Sequence, residues 1–511
     1  MAALLLAALI VVSAAVGTAH GEPPRSTTAK LTATPARPAS ARAKRRSIPL
    51  KDRPIPVSVS AEASEPGPAV PRNFLGLSFE VGSLSRIASY AGAGDLVTML
   101  RSLGVGVLRF GGVTADEQIA WTDESTPRPP WAWGVLEAGS LRQLGSLAAA
   151  SGWRILLTLG LGHFEPGAAS QEAAAAKAAL GESLEAIELG NEPDSYAKHG
   201  LRPSPWTPVQ YGEDIAVYRN AIEALAPGIP LAGPDTSGSS AYEKWGLTES
   251  IYERPALLTG HHYPLGCAEQ PAPSIARLLS PRIRQLEEVS LRRYLFIAAE
   301  TEVPFRLDET NSVSCGGVPG ISNTFASALW AVSYLTQAMS MGVSGINFEG
   351  NPANCGGYTP VCAPSPEALA SGALVAQPEW YALLLARALV GERPLHTTVS
   401  PTHRPNVEAS TFMAADGTLQ FVLVDDDPPG ARSVAMHLHV GSGFHGARIL
   451  SLTAPSPEAL SGVELGGQAV AADGSWSEPS SLPHAANKNG LITIDVKPSS
   501  AALVTVAPLG G

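Results

Sequence analysis

The sequence predicts an α/β fold: a (β/α)8 TIM barrel followed by a C-terminal antiparallel β-sandwich domain. Eight short apolar runs between residues 75 and 348 alternate with longer helical stretches, the pattern of parallel β-α units. From about residue 395 the helical periodicity stops, and alternating strands separated by Gly, Pro and Ser turns replace it. The rival, an open doubly wound sheet, finds no support, because no Gly-x-Gly-x-x-Gly turn follows the first run.

The elements follow in order. Residues 3–16 form an apolar stretch too short to span a bilayer, with small residues Ala19 and Gly21 after it. Residues 1–21 therefore read as an export signal peptide, although no Lys or Arg precedes the apolar run. Residues 22–53 are rich in Pro, Ala, Ser, Thr and Arg and include Arg42-Ala-Lys-Arg-Arg46, which suits a disordered linker. Residues 54–70 hold Ile55-Pro-Val-Ser-Val-Ser60, a strand expected to join the C-terminal sheet. The barrel is expected over 71–390, with the runs Leu75-Gly-Leu-Ser-Phe-Glu80, Val105-Gly-Val-Leu-Arg-Phe-Gly-Gly112 and Arg154-Ile-Leu-Leu-Thr-Leu-Gly160. Ala186-Ile-Glu-Leu-Gly-Asn191, Ile229-Pro-Leu-Ala-Gly-Pro-Asp235 and Leu257-Leu-Thr-Gly-His-His-Tyr263 come next. Val303-Pro-Phe-Arg-Leu-Asp-Glu309 and Gly342-Val-Ser-Gly-Ile-Asn-Phe348 complete the eight. Helical stretches such as 141–151, 209–226, 275–298 and 323–341 lie between them. The β-sandwich is expected over 391–511, with strands at 418–424, 434–440 and 491–496.

Composition narrows the function classes. Apolar residues make up 45% and charged residues 16%, which excludes a coiled coil or a wholly disordered chain. The net charge of −11 becomes −18 for residues 54–511 once Glu22 and the nine basic and one acidic residues of 24–53 are set aside. Such an acidic folded part argues against nucleic acid as a partner. The basic run Arg42–Arg46 suits a solvated linker, or contact with an anionic polymer. Cys267, Cys315, Cys355 and Cys362 form no zinc-type spacing. A Cys355–Cys362 disulfide and free thiols both remain open.

Glycosidic bond hydrolysis needs a carboxylic acid to protonate the leaving oxygen and a second carboxylate opposite it; in retaining enzymes the two stand about 5 Å apart. A barrel supplies such a pair from the ends of two strands. Glu192 ends the fourth run, Pro193 stops the strand from continuing, and Asn191 beside it can donate to a sugar hydroxyl. Glu309 ends the seventh run, with Asp308 as the alternative, because neighbouring strand residues point to opposite faces. Glu300 and Glu302 follow a helical run and precede Pro304, which places them at the other end of the barrel. His261 and His262 are adjacent and diverge, and no third ligand is evident, so no metal is expected.

The chain resembles the heparanase-like glycoside hydrolases, family 79, over about Leu75 to Leu395. The blocks that carry the resemblance are Ile187-Glu-Leu-Gly-Asn-Glu-Pro-Asp-Ser-Tyr196, Gly260-His-His-Tyr-Pro264 and Leu307-Asp-Glu-Thr-Asn-Ser312. Gly316-Gly-Val-Pro-Gly-Ile-Ser-Asn-Thr-Phe-Ala-Ser-Ala-Leu-Trp330 and Asn354-Cys-Gly-Gly-Tyr358 extend it. The resemblance implies a retaining β-glucuronidase with Glu192 as acid/base and Glu309 as nucleophile. It also implies that Tyr263 hydrogen-bonds the nucleophile, and that the Gly357 N–H and the Tyr358 hydroxyl bind the uronate carboxylate. Glu80 and Asp116 are expected to accept sugar hydroxyls, in a looser match. Arg109 and Arg306 read as barrel-interior charges.

The expected function is release of β-linked glucuronic acid by an exo-acting enzyme, because a heparanase-type endo-enzyme must grip a sulfated chain with a basic cleft. Endo action, another clan activity such as a β-xylosidase or arabinofuranosidase, and a non-catalytic carbohydrate-binding protein are the alternatives. No cofactor and no metal are expected. The expected partner is a β-glucuronide oligosaccharide or glycoside, with no integral membrane association. The expected state is a monomer, secreted or periplasmic.

Overall fold

A computed structural model of the chain describes residues 53–123, 125–401 and 405–510. The expected signal peptide (1–21), and the expected linker (22–53) up to its last residue, lie outside the described residues.

Eight parallel strands close into a barrel, each paired with its neighbours in the chain and the last with the first. They are Leu75–Glu80, Val107–Gly111, Arg154–Leu159, Leu184–Leu189, Leu231–Thr236, Leu257–His262, Phe305–Thr310 and Gly345–Glu349. Both faces of these strands are buried, which is why each reads as an unbroken apolar run. Helices Ala138–Ser151, Pro166–Leu180, Pro208–Leu225, Tyr242–Tyr252, Pro281–Thr301 and Phe325–Met341 lie outside the barrel. Thr207 starts one of them with a capping box to Gln210.

The barrel interior is layered. Val107, Leu156, Ala186, Ala232 and Leu257 form an apolar layer near the N-terminal ends of their strands. Arg306 lies at the same end, donating to Asn347 Oδ1 at 2.6 Å and to the Asn73 and Phe74 carbonyls. Two residues further along each strand the side chains turn polar: Arg109, Thr158, Glu188, Thr259 and Asn347 are all fully buried or nearly so. Period-two alternation therefore puts a hydrophobic floor beneath a polar site.

The C-terminal region is one ten-stranded sheet rather than two separate ones. Its order runs Glu464–Leu465, Ala447–Thr453, Ser500–Val506, Leu419–Asp425, Val407–Met413, Arg393–Ser400, Ile55–Glu62, Val434–His439 and Leu491–Val496; His484–Ala485 pairs off this path with Ala447–Thr453. The N-terminal strand Ile55–Glu62 pairs antiparallel with Arg393–Ser400 and parallel with Val434–His439, so the sheet is not wholly antiparallel as expected. Alternating residues serve two cores. Val422, Val424, Ala501 and Leu503 join the barrel core, while Phe421, Leu423, Ala502 and Val504 enclose a second core with Val57 and Val59. The barrel helix Phe325–Met341 is buried almost all round, as its nearly continuous apolar sequence requires.

Candidate active site

The polar layer is organised around Arg109, which is fully buried. Its Nε stands 3.0 Å from Glu188 Oε2 and 2.9 Å from Asp308 Oδ2. Its Nη2 donates to Asp235 Oδ2 at 2.7 Å and to Asn191 Oδ1 at 3.0 Å. Its Nη1 donates to Glu309 Oε2 at 2.7 Å and to Ser78 Oγ at 3.1 Å. Arg109 is thus the expected interior charge and also a direct partner of Glu309. Gly111 leaves room for it, since a Cβ there would stand 2.5 Å from the guanidinium carbon.

Glu192 follows the fourth strand in a tight turn. It adopts φ 50° and ψ 51°, the left-handed region that costs a non-Gly residue about 1 kcal/mol or more. The surroundings hold it there: its N–H donates to the Asp235 carbonyl at 2.9 Å, and Pro193 begins the following short helix. The turn presents the half-buried carboxyl to His261, whose Nδ1 lies 3.0 Å from Glu192 Oε1 and 3.6 Å from Glu309 Oε1. These ligand atoms of Glu192, Glu309 and His261 all lie within 4.8 Å of one another. Tyr263 OH donates to Glu309 Oε1 at 2.8 Å. Asn191 gives its carbonyl oxygen to Arg109, which turns its NH2 away from the guanidinium.

Two expectations need correcting. Asp308 was expected to face away from the centre if Glu309 faced it, yet both reach Arg109. The pairing register of the seventh strand slips between Leu307 and Glu309, so period-two alternation fails there. Asp116 was expected to meet a sugar hydroxyl, but it is 2% exposed and both oxygens are taken. Oδ1 accepts from the Leu161 and Gly162 N–H groups, and Oδ2 from the Asn191 N–H and the Tyr196 hydroxyl. It ties the turns after the third and fourth strands together instead. Glu80 stands at the first strand end, where its Oε2 accepts from the Thr114 N–H and hydroxyl.

The electrostatics follow from crowding. Burial raises the Asp308 carboxyl well above its usual range, and the neighbouring Asp235 and Glu188 raise it further. Burial and Asp235 also raise Glu188. Burial opposes ionisation of Asp235 too, but Arg109 and His261 overcome it and hold Asp235 below the usual range. Burial likewise opposes a charged His261, yet Asp235 and Glu309 raise it well above 6.5. Crowding therefore favours the charged forms of His261 and Asp235 and opposes those of Asp308 and Glu188.

His262 points the other way, with Nδ1 3.0 Å from Ser290 Oγ, and burial lowers it to about 4. The two histidines diverge as expected. Glu192, His261 and Glu309, and separately Asp235, His261 and Asp308, bring donor atoms close enough for a metal ion. The chemistry of the set does not fit one. Metal ligation needs a neutral imidazole, whereas these surroundings favour the imidazolium, and Arg109 already supplies a cation to the second trio.

The loops after strands six, seven and eight are stapled together. Disulfide Cys267–Cys315 joins the first two, and Cys355–Cys362 closes a seven-residue separation in the third. All four cysteines are thus paired. Tyr358 lies inside the loop closed by Cys355–Cys362: its N–H donates to the Gly316 carbonyl at 3.1 Å, and its OH is 3.2 Å from that of Tyr263. Gly357 is buried, and a Cβ there would stand 2.2 Å from the Gly316 oxygen. Its N–H makes a long 3.4 Å contact to the Asn354 carbonyl.

Sequence reasoning missed His261, Asp235 and Glu349 as site residues. All three sit at C-terminal strand ends, the position from which a barrel builds its site, and that position was the available signal.

No protein-family model matches the sequence. A beta-glucuronidase of Aspergillus niger is 31% identical over 182 residues, which is 31% of this chain and 33% of that protein. The match therefore spans about a third of that relative's length. A crystal structure described as a 4-O-alpha-L-rhamnosyl-beta-D-glucuronidase from Fusarium oxysporum superposes with a TM-score of 0.71 at 21% identity, covering 88% of this chain and 100% of that one. An arabinofuranosidase structure from Xanthomonas axonopodis pv. citri reaches 0.65 at 15% identity, covering 88% and 100%. At these identities the structural matches establish the fold: a barrel joined to a β-sheet domain, as in known glycoside hydrolases.

Proposed function

We propose that this chain is a retaining β-glucuronidase in which Glu192 is the acid/base and Glu309 the nucleophile. The observation that carries the reading is the pair itself. Two carboxyls from the fourth and seventh strand ends approach within 4.8 Å, near the roughly 5–5.5 Å of retaining enzymes and well short of the 6.5–9.5 Å of inverting ones. Glu309 lies between an Arg109 donor and a Tyr263 donor, which orients its carboxyl for attack on the anomeric carbon. Attack forms a glycosyl-enzyme ester while Glu192 gives its proton to the leaving oxygen. Glu192 then takes a proton from water, which displaces Glu309 and releases the sugar with retained configuration.

The glucuronide preference rests on the partial likeness to the Aspergillus niger protein and on Tyr263 and Tyr358, whose hydroxyls meet beside Glu309. Exo action on a chain end or glycoside suits the acidic folded part, which disfavours a highly sulfated chain. Two disulfides support export to an oxidising compartment. Among the described residues no helix is long and apolar enough to cross a membrane.

The test is hydrolysis of an aryl β-glucuronide by wild type and Glu192→Gln, with covalent labelling by a 2-fluoro glucuronide. The expected result is at least a 100-fold loss in the variant for a poor leaving group and a label on Glu309. A label on Asp308, or on neither, overturns the assignment.

A further inference from the structure

The pocket around Glu309 has more acids than its cations can balance. Glu80, Glu188, Glu192, Asp235, Asp308, Glu309 and Glu349 are seven carboxyls, and the cations that meet them are Arg109 and His261. Arg109 is already shared among Glu188, Asp235, Asp308 and Glu309. Among the described residues Glu349 forms no ion pair, with Arg109 acting on it only weakly and Ser78 supplying one hydrogen bond. It ends the eighth strand on the same face as Gly345 and Asn347, whose amide lies inside the barrel against the Leu77 and Val107 carbonyls. Its side chain therefore enters the barrel mouth. Glu349 is 6% exposed, and its Oε2 has no hydrogen-bond partner.

Every element packed against it contributes a group. Glu309 and Tyr263 come from strands seven and six, Glu80 and Ser78 from strand one, Arg109 from strand two, and Tyr358 from the loop after strand eight. Behind it, Asn311 Nδ2 donates to the Glu349 backbone carbonyl and to Glu379 Oε2. A glucuronide brings one more negative charge into this space. If Glu349 were also ionised, two unpaired anions would face each other in a poorly solvated pocket, which is strongly unfavourable.

We propose that Glu349 selects the uronate by meeting its carboxylate as a neutral carboxylic acid, donating the hydrogen bond that complements Tyr358. The proposal rests on the β-glucuronidase reading and adds the residue that makes an acidic pocket accept an anionic sugar. Burial, with Glu309 and Glu80 adding to it, keeps the Glu349 proton on well above the usual carboxylate range. Ionisation at higher pH removes the donor and adds repulsion. The apparent KM for the glucuronide must then rise with pH, by up to about tenfold per unit once most of the enzyme is in the non-binding form.

The experiment measures KM and kcat of the full chain against pH for an aryl β-glucuronide and for the matching aryl β-glucoside, with wild type and Glu349→Gln. The amide keeps a donor and cannot ionise. The expected result is a KM limb for the glucuronide in wild type, no limb for the glucoside, and loss of the limb in Glu349→Gln. A limb of equal size on both substrates overturns the proposal, because Glu349 would then bind a group that both sugars share. A flat glucuronide KM in wild type overturns it without any variant. Absence of glucuronide hydrolysis at every pH would instead sink the underlying functional reading, so the two failures are distinguishable.

Discussion

Single residues at this site act through the charges they confront. Tyr358 shows the point: its hydroxyl lies 3.2 Å from that of Tyr263, so both phenols reach the space beside Glu309. Removing one hydroxyl costs most where it meets an anion, because charged hydrogen bonds are worth about 1.5–3 kcal/mol against about 1 for neutral ones. Tyr358→Phe is therefore expected to raise KM for an aryl β-glucuronide about tenfold or more and to change an aryl β-xyloside by about threefold or less. Equal losses on the two substrates would favour a pentosidase. Asp116 teaches the converse. Its sequence position suggested a ligand contact, yet four donors from three segments already satisfy it. Burial still pushes it up to about 6 against those donors. The distinction between an acid that binds substrate and one that binds backbone depends on tertiary hydrogen bonds that no local pattern records.

At the scale of elements, the eight barrel strands were legible because strands buried on both faces leave unbroken apolar runs, and Glu192 and Glu309 were legible as strand-end acids. The slip between Leu307 and Glu309 was not, since a bulge changes pairing without changing composition. It is what lets Asp308 and Glu309 share one guanidinium. The Cys267–Cys315 pairing was equally hidden, because it depends on which loops meet at the barrel mouth, whereas the short Cys355–Cys362 bridge was one of two open readings. That meeting has a consequence for the Cys355–Cys362 loop, which carries Gly357 and Tyr358 between its bridge points. Replacing both cysteines by serine leaves the barrel intact but frees the loop to wander. The expected result is a glucuronide KM at least fivefold higher, kcat within about threefold, and a Tm lower by a few degrees, in line with loss of a short-loop disulfide. A variant with unchanged KM would show that the Gly316 contact to Tyr358 suffices to hold the loop.

Across the whole molecule, the same burial of acids sets how stability responds to pH. Glu172, Glu287 and Glu379 are each pushed up to about 8 by burial, and Asp425 to about 7. Glu287 accepts from Trp330 Nε1 at 2.6 Å and Glu379 from Asn311, contacts that lower them only partly. An acid raised in the folded state holds its proton there after the unfolded chain has released it. The folded protein therefore binds more protons between roughly pH 4.5 and pH 8, and stability falls as pH rises through that window. His261 works in the same direction. Its raised folded value contributes stability that is complete below the unfolded 6.5 and is lost as pH rises through the folded value. Asp235, held low, opposes them only in strong acid, below its unfolded 3.8. Each fully buried acid contributes up to about 1.4 kcal/mol per pH unit, so the sum outweighs surface ion pairs worth about 0–1 kcal/mol each. Thermal unfolding at constant ionic strength should give a higher Tm at pH 5.5 than at pH 8, by several degrees. Replacing Glu287 with Gln, which keeps an acceptor for Trp330 without a titrating proton, should reduce that difference. A Tm that rises from pH 5.5 to pH 8 would mean that these carboxyls do not hold their protons in the folded protein above the range where the unfolded chain releases them.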